Sequence, residues 1–420
     1  MKRIFPVAII LSLFLPFLVE AAARPCVNGH SASKYHCKQV ILQARVPLNR
    51  FPGKPASASS LWGYADPDDN REYAIIGLRN GTGVVDVTNP TKPKVVGHIR
   101  GVQSLWREVK VYSVFNKRTN KWDAYAYVST EGRDGGLQII DLSELPKKVS
   151  LAAKDTDIST SHTLFISNLD YATGQKLPRK KPRLYVNGSD SGLVVFNLAD
   201  PKNPRVIGRY NDWYVHDSYG ETFTGARASQ CAPGRTSCDI LFAWTGQDFR
   251  ILDVTRPKSI KVLGTLAYQD IGYAHSGWIS QDKQYLFNFD EFDEIQSDTE
   301  TRILTIDISN FRNPSVAGTF RGKEKSIEHN GIVIGNKLYL AHYTRGLVIM
   351  DVSDPKNIRE TAFFDSHPED DAEEEAHGSR HPGHGGEAAF RGAWGIYPFL
   401  PSGNILISDL QRGLFVLKEE

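Results

Sequence analysis

The chain predicts an all-β fold, a seven-bladed β-propeller closed by an N-terminal strand. Two observations carry that reading: one strand-and-turn phrase recurs along nearly the whole chain, and its last copy stops one strand short. The phrase is an apolar strand ending in Asp or Asn, a turn bearing Pro or Asn, and a short strand around Gly. It reads Gly83-Val84-Val85-Asp86 with Pro90, then Val95-Val96-Gly97. It returns as Leu193 to Asn197 with Val206-Ile207-Gly208, and as Ile251-Leu252-Asp253 with Val262-Leu263-Gly264. Later copies end in Asp307 and Asp351, and weaker ones lie at 137–141 and 413–417.

Most phrases follow a further strand and a Gly-bearing hairpin turn, as at Asn80-Gly81, Arg345-Gly346 and Arg412-Gly413. Upstream again lies a strand opened by Trp or His. Four strands per unit, at roughly 45–65 residues, is the pattern of a propeller blade. No segment sustains a 3.6-residue period, which excludes an α/β alternative. Inner strands open near Trp62, Trp106, His162, His216, His275, His329 and Trp394, which counts seven blades. The seventh lacks a fourth strand, and the apolar stretch 40–48 is expected to supply it, removing two open edges.

The ends and composition set the compartment. Lys2 and Arg3 precede an apolar run from Ile4 to Val19, and Ala21-Ala22-Ala23 offers small residues for cleavage. That run is interrupted by Pro6 and Pro16 and falls short of the ~20 residues that span a bilayer. Residues 1–23 are therefore expected to be a signal peptide, and the mature chain a secreted, extracellular protein with no membrane span. Residues 24–37 form an N-terminal segment bearing two cysteines, and 38–420 the propeller. Fifty basic against 48 acidic residues give a net charge of +2, which argues against a nucleic-acid partner.

Four cysteines allow three connectivities. Local pairing, Cys26 with Cys37 and Cys231 with Cys238, is expected because each pair brackets a short loop, and an oxidising compartment preserves such bridges. Sequons at Asn80 and Asn187 can carry glycans, although both also sit where tight turns want Asn-Gly. One insertion, about 368–386, does not belong to the repeat: six acids fill the seven residues 369–375, and His377, His381 and His384 follow. Its composition cannot bury apolar surface, so a mobile loop dispensable for folding is expected.

Candidate chemistry rests on phase. His162, His216, His275 and His329 recur at spacings of 54, 59 and 54 residues, equivalent positions in four consecutive blades. Such positions converge on one end of the central channel, where the loop bearing Asp290, Glu291 and Asp293 also lies. Imidazoles and carboxylates gathered there suit a transition metal such as zinc, copper or iron. The alternative is that each His opens its strand by bonding a neighbouring group. The oxygen-rich run Asp290-Glu291-Phe292-Asp293-Glu294 can also hold calcium, although it lacks the Gly of a calcium hand. The repeated Asp86, Asp141, Asp253, Asp307 and Asp351 end strands before turns, where carboxylates cap backbone amides; they are read as structural. Trp62, Trp106 and Trp394 are read as channel filling.

With these residues in view, the chain resembles the choice-of-anchor B family, built from LVIVD-type repeats. The resemblance is carried by Cys26 and Cys37, Leu61-Trp62-Gly63-Tyr64, Leu105-Trp106-Arg107-Glu108, Ser161-His162 and His216-Asp217. It continues through His275-Ser276-Gly277-Trp278, Phe289-Asp290-Glu291, His329-Asn330 and Ala393-Trp394-Gly395. It implies an exported propeller, in many members fixed to the cell surface by a C-terminal sorting tail, and it implies no particular activity. No such tail follows 414–417, so anchoring of that kind is not expected.

Two function classes remain. One is an extracellular binding or matrix module that holds a protein, glycan or mineral surface. The other is a metal-dependent extracellular enzyme with the His cluster as its site. The sequence shows no Gly-x-Ser-x-Gly elbow, phosphate loop or paired redox cysteines, and no evident nucleophile or general base, which favours the binding module.

Overall fold

The computed structural model describes residues 23–32, 34–368 and 390–420; the apolar leader and nearly all of the acidic, His-rich insertion lie outside them. Seven antiparallel sheets succeed one another along the chain. The first blade is Ala58–Ala65, Glu72–Leu78, Gly81–Asp86 and Lys94–Arg100, from axis to rim. The fourth is Asp217–Thr224, Ser237–Trp244, Phe249–Asp253 and Lys261–Leu266, and the fifth is Ala274–Ile279, Tyr285–Asp290, Arg302–Asp307 and Ser315–Arg321. Middle strands are mostly buried, wholly so in Glu72–Leu78, whereas outer strands such as Lys94–Arg100 are partly exposed. This is the burial gradient of sheets stacked face to face around an axis.

The repeated phrase has a physical basis at each of its parts. The closing Asp or Asn accepts the amide two residues on in six blades: Asp86 from Thr88, Asp141 from Ser143, Asn197 from Ala199, Asp253 from Thr255, Asp307 from Ser309 and Asp351 from Ser353, all at 2.7–3.0 Å. These are Asx turns, which release the chain from the third strand and aim it into the fourth. The Gly of the outer strand is required by its neighbour. A Cβ on Gly208 would lie 1.9 Å from the Pro257 carbonyl oxygen, and one on Gly264 would lie 2.2 Å from that of Phe311. In both cases the turn of the next blade packs onto the strand there. All seven blades also carry a bulge between third and outer strands, which increases the twist where the sheet widens.

The ring closes through Val40–Val46, which pairs antiparallel with Gly413–Glu419 as the outer strand of the seventh blade. Val40 faces Glu419, Leu42 faces Leu417 and Val46 faces Leu414. The segment preceding this strand is also part of the ring. Tyr35–Lys38 pairs with Arg359–Phe364 and extends the sixth blade, with His30–Ser31 beyond it. This strand has no counterpart in the repeat, so no repeating pattern marks it as part of the ring. Tyr35 packs against Phe364 of the sixth blade and Phe415 of the seventh, so the N-terminal segment fastens two blades. The Cys26–Cys37 bridge ties down its outer end, and Cys231–Cys238 closes the loop between the first two strands of the fourth blade. The sequon asparagines differ. Asn80 is half-buried, its side-chain N–H donating to the Pro52 carbonyl. Asn187 is fully buried, donating to Thr163 Oγ1 and accepting from Ser218 Oγ, which leaves no room for a glycan in the folded ring.

Val40, Leu42 and Val46 are each at least 95% buried, and together contribute on the order of 5–8 kcal/mol. That is comparable with the whole net stability of a typical domain, about 5–15 kcal/mol. A chain starting at Arg50 is therefore expected to aggregate, whereas one starting at Arg24 stays soluble. Size-exclusion chromatography and thermal melting compare them; a soluble Arg50 chain with unchanged melting would show that the closing strand is dispensable.

Candidate metal centre

The four phased histidines meet on the propeller axis. His216 and His329 directly precede their inner strands, Asp217–Thr224 and Asn330–Ile334; His275 is the second residue of Ala274–Ile279, and His162 lies two residues before Leu164–Ile166. Three are fixed by their own backbone. The amides of His162, His216 and His329 donate to the carbonyls of Asn187, Trp244 and Ala341, each at the end of the second strand of the same blade. Ring centroids follow at 4.3 Å from His162 to His216, 4.7 Å to His275 and 4.4 Å to His329. Trp394, from the inner strand of the seventh blade, completes the circle at 4.7 Å from His329 and 6.4 Å from His162. Ligand atoms of His162, His216 and His275 lie within 4.8 Å of one another, as do those of His275, His329 and Glu291.

Each imidazole has its Nδ1 committed to the protein. His162 Nδ1 is 2.7 Å from Glu131 Oε1, and His216 Nδ1 is 3.0 Å from the Tyr273 hydroxyl and 3.2 Å from that of Tyr214. His275 Nδ1 is 3.1 Å from the His329 carbonyl, and His329 Nδ1 is 2.9 Å from the Trp394 carbonyl. The Nε2 atoms remain. Those of His275 and His329 face Glu291 at 3.7 and 3.5 Å, and that of His216 is buried with no partner at all. Glu291 is itself held by the Tyr343 hydroxyl at 2.8 Å. Imidazoles braced at one nitrogen and turned inward at the other are what metal ligation requires of histidine.

Electrostatics favours neutral imidazole at three positions. Burial holds His216 and His275 well below the ordinary histidine range and takes His329 to about 3, with the neighbouring histidines adding to the effect. At His162 burial again acts downward, but the Glu131 carboxylate outweighs it and the pKa is raised. Burial lifts Glu291 to about 7 against the opposing Tyr343 hydrogen bond. A divalent ion among the imidazoles, beside Glu291 and Glu131, would balance the charge of the site. The donor set is nitrogen-rich, which suits iron, copper or zinc and not calcium.

Asp290 is not available to this centre. Its carboxylate accepts the amides of Gly272 and Tyr273 and the hydroxyl of Tyr268, which spends it on shaping the loop. Asp293 likewise turns away, to Arg302 Nε at 2.5 Å. The tryptophans separate. Trp106 stacks on Trp394 at the histidine end, whereas Trp62 lies further along its strand and packs with Tyr171, Tyr397 and Phe399, closing the other end of the channel. Beside Trp62 lies a cavity of mixed lining, with Glu108, Lys110, Asp217 and Asn330 facing it together with Phe165 and Trp278. Glu131, Tyr273 and Tyr343 were not singled out in the sequence. One signal was present: Glu131 and Tyr343 follow the second strands of their blades, Lys121–Val128 and Lys337–Ala341, as Glu291 follows Tyr285–Asp290.

Fold and site together define a seven-bladed β-propeller with a histidine-ringed axis. The chain carries LVIVD repeats: the repeat's model matches residues 71–100 and 331–365, three strands of the first blade and most of the sixth. No curated protein matches the chain. Among solved structures it is similar to Raptor from Chaetomium thermophilum, at 11% identity and a TM-score of 0.52, over 86% of this chain and 28% of that one. It is also similar to a chain of the COPII outer coat vertex on membranes, at 10% identity and a TM-score of 0.53, over 86% and 84%. A chain of the COPII coat assembled on membranes matches at 10% identity and a TM-score of 0.53, over 86% and 46%. At these identities the likeness shows the propeller fold alone.

Glu108 and Lys110 form a buried ion pair in the channel, with the ammonium 4.4 Å from the Trp62 ring centre. Glu108→Gln strands the Lys110 charge and is expected to cost about 3 kcal/mol, whereas adding Lys110→Met recovers most of the loss. Urea unfolding of the single and double variants measures this; equal stability of the two would show that the pair is not coupled.

Proposed function

We propose that this chain is an exported metalloprotein that binds one transition-metal ion through Nε2 of His162, His216, His275 and His329, and that the ion is the centre of a metal-dependent enzyme. The observation that carries the reading is the commitment of all four Nδ1 atoms to protein partners, with a buried, unpartnered Nε2 on His216. Strand capping alone would need no such convergence. Two overlapping triads, His162–His216–His275 and His275–His329–Glu291, share His275 and each hold ligand atoms within 4.8 Å of one another, so the donors would draw in toward the ~3.4 Å separation expected around an ion bound at ~2.1 Å. The four ligands come from adjacent blades, with Trp394 and Trp106 on the remaining side. Glu291, 3.7 and 3.5 Å from the Nε2 atoms of His275 and His329, would be the group that holds or moves a proton there. The two disulfides and the absence, among the described residues, of any helix long and apolar enough to cross a membrane are compatible with export.

A binding module is the second reading, and one observation favours it. Trp213 and Tyr214 stand 47% and 48% exposed beside the ring, with Arg250 stacked 3.8 Å from the Trp213 ring centre. Exposed aromatics of this kind suit a protein or glycan partner.

Elemental analysis of the untagged chain is expected to find close to one equivalent of iron, copper or zinc. Replacing His275 and His329 together by Ala should remove it while leaving circular dichroism unchanged. That variant retains His377, His381 and His384, so metal held adventitiously by the insertion would persist. Metal-free native protein with normal melting would overturn the proposal and leave the binding module.

A further inference from the structure

We propose that Asp293, Glu294 and Glu328 form a second, oxygen-only site for a hard divalent cation, Ca2+, at the seam of the fifth and sixth blades. Asp293 and Glu294 open the short helix Asp293–Ser297, and Glu328 lies in the connection that leads to Asn330–Ile334. All three are buried, at 1%, 3% and 0% exposure, and oxygens of the three lie within 4.8 Å of one another.

Two independent observations turn this from an acidic cluster into a site. First, each carboxylate has one oxygen anchored and the other bare. Asp293 Oδ2 accepts from Arg302 Nε, Glu294 Oε1 from the Arg302 amide, and Glu328 Oε1 from the Asp290 amide. Asp293 Oδ1, Glu294 Oε2 and Glu328 Oε2 are buried with no partner. Bare acceptors in a protein interior are costly, at about 1–3 kcal/mol each and more when charged. Second, the charge does not balance. Among the described residues Arg302 is the cation in contact, and its two Nη atoms are spent on the carbonyls of Gln269 and Asp270. It offsets one carboxylate and leaves two. One divalent ion discharges both. Calcium at ~2.3–2.6 Å from its oxygens accommodates ligands up to ~5 Å apart, and it takes water or carbonyl oxygen for the rest of its shell.

This site does not rest on the histidine centre, but it would stiffen it. Glu328 adjoins His329, and Asp293 is two residues from Glu291. An ion here would therefore fix the two segments that carry a histidine and the carboxylate of the ring.

The test is calcium titration of the chelator-treated full chain by calorimetry and thermal melting. The expected result is one saturable equivalent and a rise in melting temperature of at least ~3 °C at 100-fold excess over the dissociation constant. Glu328→Gln should abolish that equivalent; the acidic stretch 369–375 is untouched in the variant, so weak calcium binding there would remain. No saturable calcium binding by the native chain would overturn the proposal. So would a saturable equivalent of calcium that persists in Glu294→Gln/Glu328→Gln, or a Glu328→Gln protein that melts higher to the same extent with and without calcium, the result expected if the pair simply shares protons.

Discussion

The pairing of Val40–Val46 with Gly413–Glu419 is the constraint on which the rest of the molecule depends. A propeller without it is an open stack whose two ends each present an unpaired edge and one uncovered face. With it, every blade has two neighbours, and the inner strands are held at fixed angles about one axis. The histidine ring exists only under that condition. His162 and His329 are 167 residues apart in sequence, yet each lies within 6.4 Å of Trp394, which stands on the very blade that the N-terminal strand completes.

Local chemistry repeats so that this global closure can be met. Asx turns end six third strands with the same geometry, and outer-strand glycines admit the turn of the following blade. Repetition of these two devices keeps the angle between blades nearly constant, as a closed ring of sheets requires. The N-terminal segment adds a fastening outside the repeat, since Tyr35 reaches both the sixth and seventh blades.

The axis is polar where a β-core is ordinarily apolar. Four imidazoles, Glu291 and the Glu108–Lys110 pair are buried there, with Asp217 half-buried, and the carboxylates of Asp293, Glu294 and Glu328 lie close by. Burying such groups opposes folding unless they are paired or ligate an ion. Most have a partner: Glu108 has Lys110, Asp293 has Arg302 and Glu291 has Tyr343. Among these imidazoles and carboxylates, the atoms with no partner are the Nε2 of His216 and the carboxylate oxygens of Asp293, Glu294 and Glu328. Stability elsewhere in the ring, supplied by the apolar faces between blades, is what tolerates them.

The sequence by itself determined the all-β class, the seven units, the closing strand and the phase of the four histidines. Each follows from patterns with a short period or a fixed offset: alternation along a strand, Asp before a turn, and His at the same place in successive units. The same logic marked the repeated aspartates as turn formers. What only the tertiary structure decided is which neighbours each group meets. Asp290 and Glu291 are adjacent in sequence, yet the alternation of the strand end sends Glu291 to the histidines and Asp290 to the amides of Gly272 and Tyr273. Glu131, Tyr273 and Tyr343 reach the ring from three different blades, and Glu328 meets Glu294 across a seam between blades. Those contacts depend on the angle at which blades are stacked, a quantity that no local pattern encodes and that ring closure alone sets.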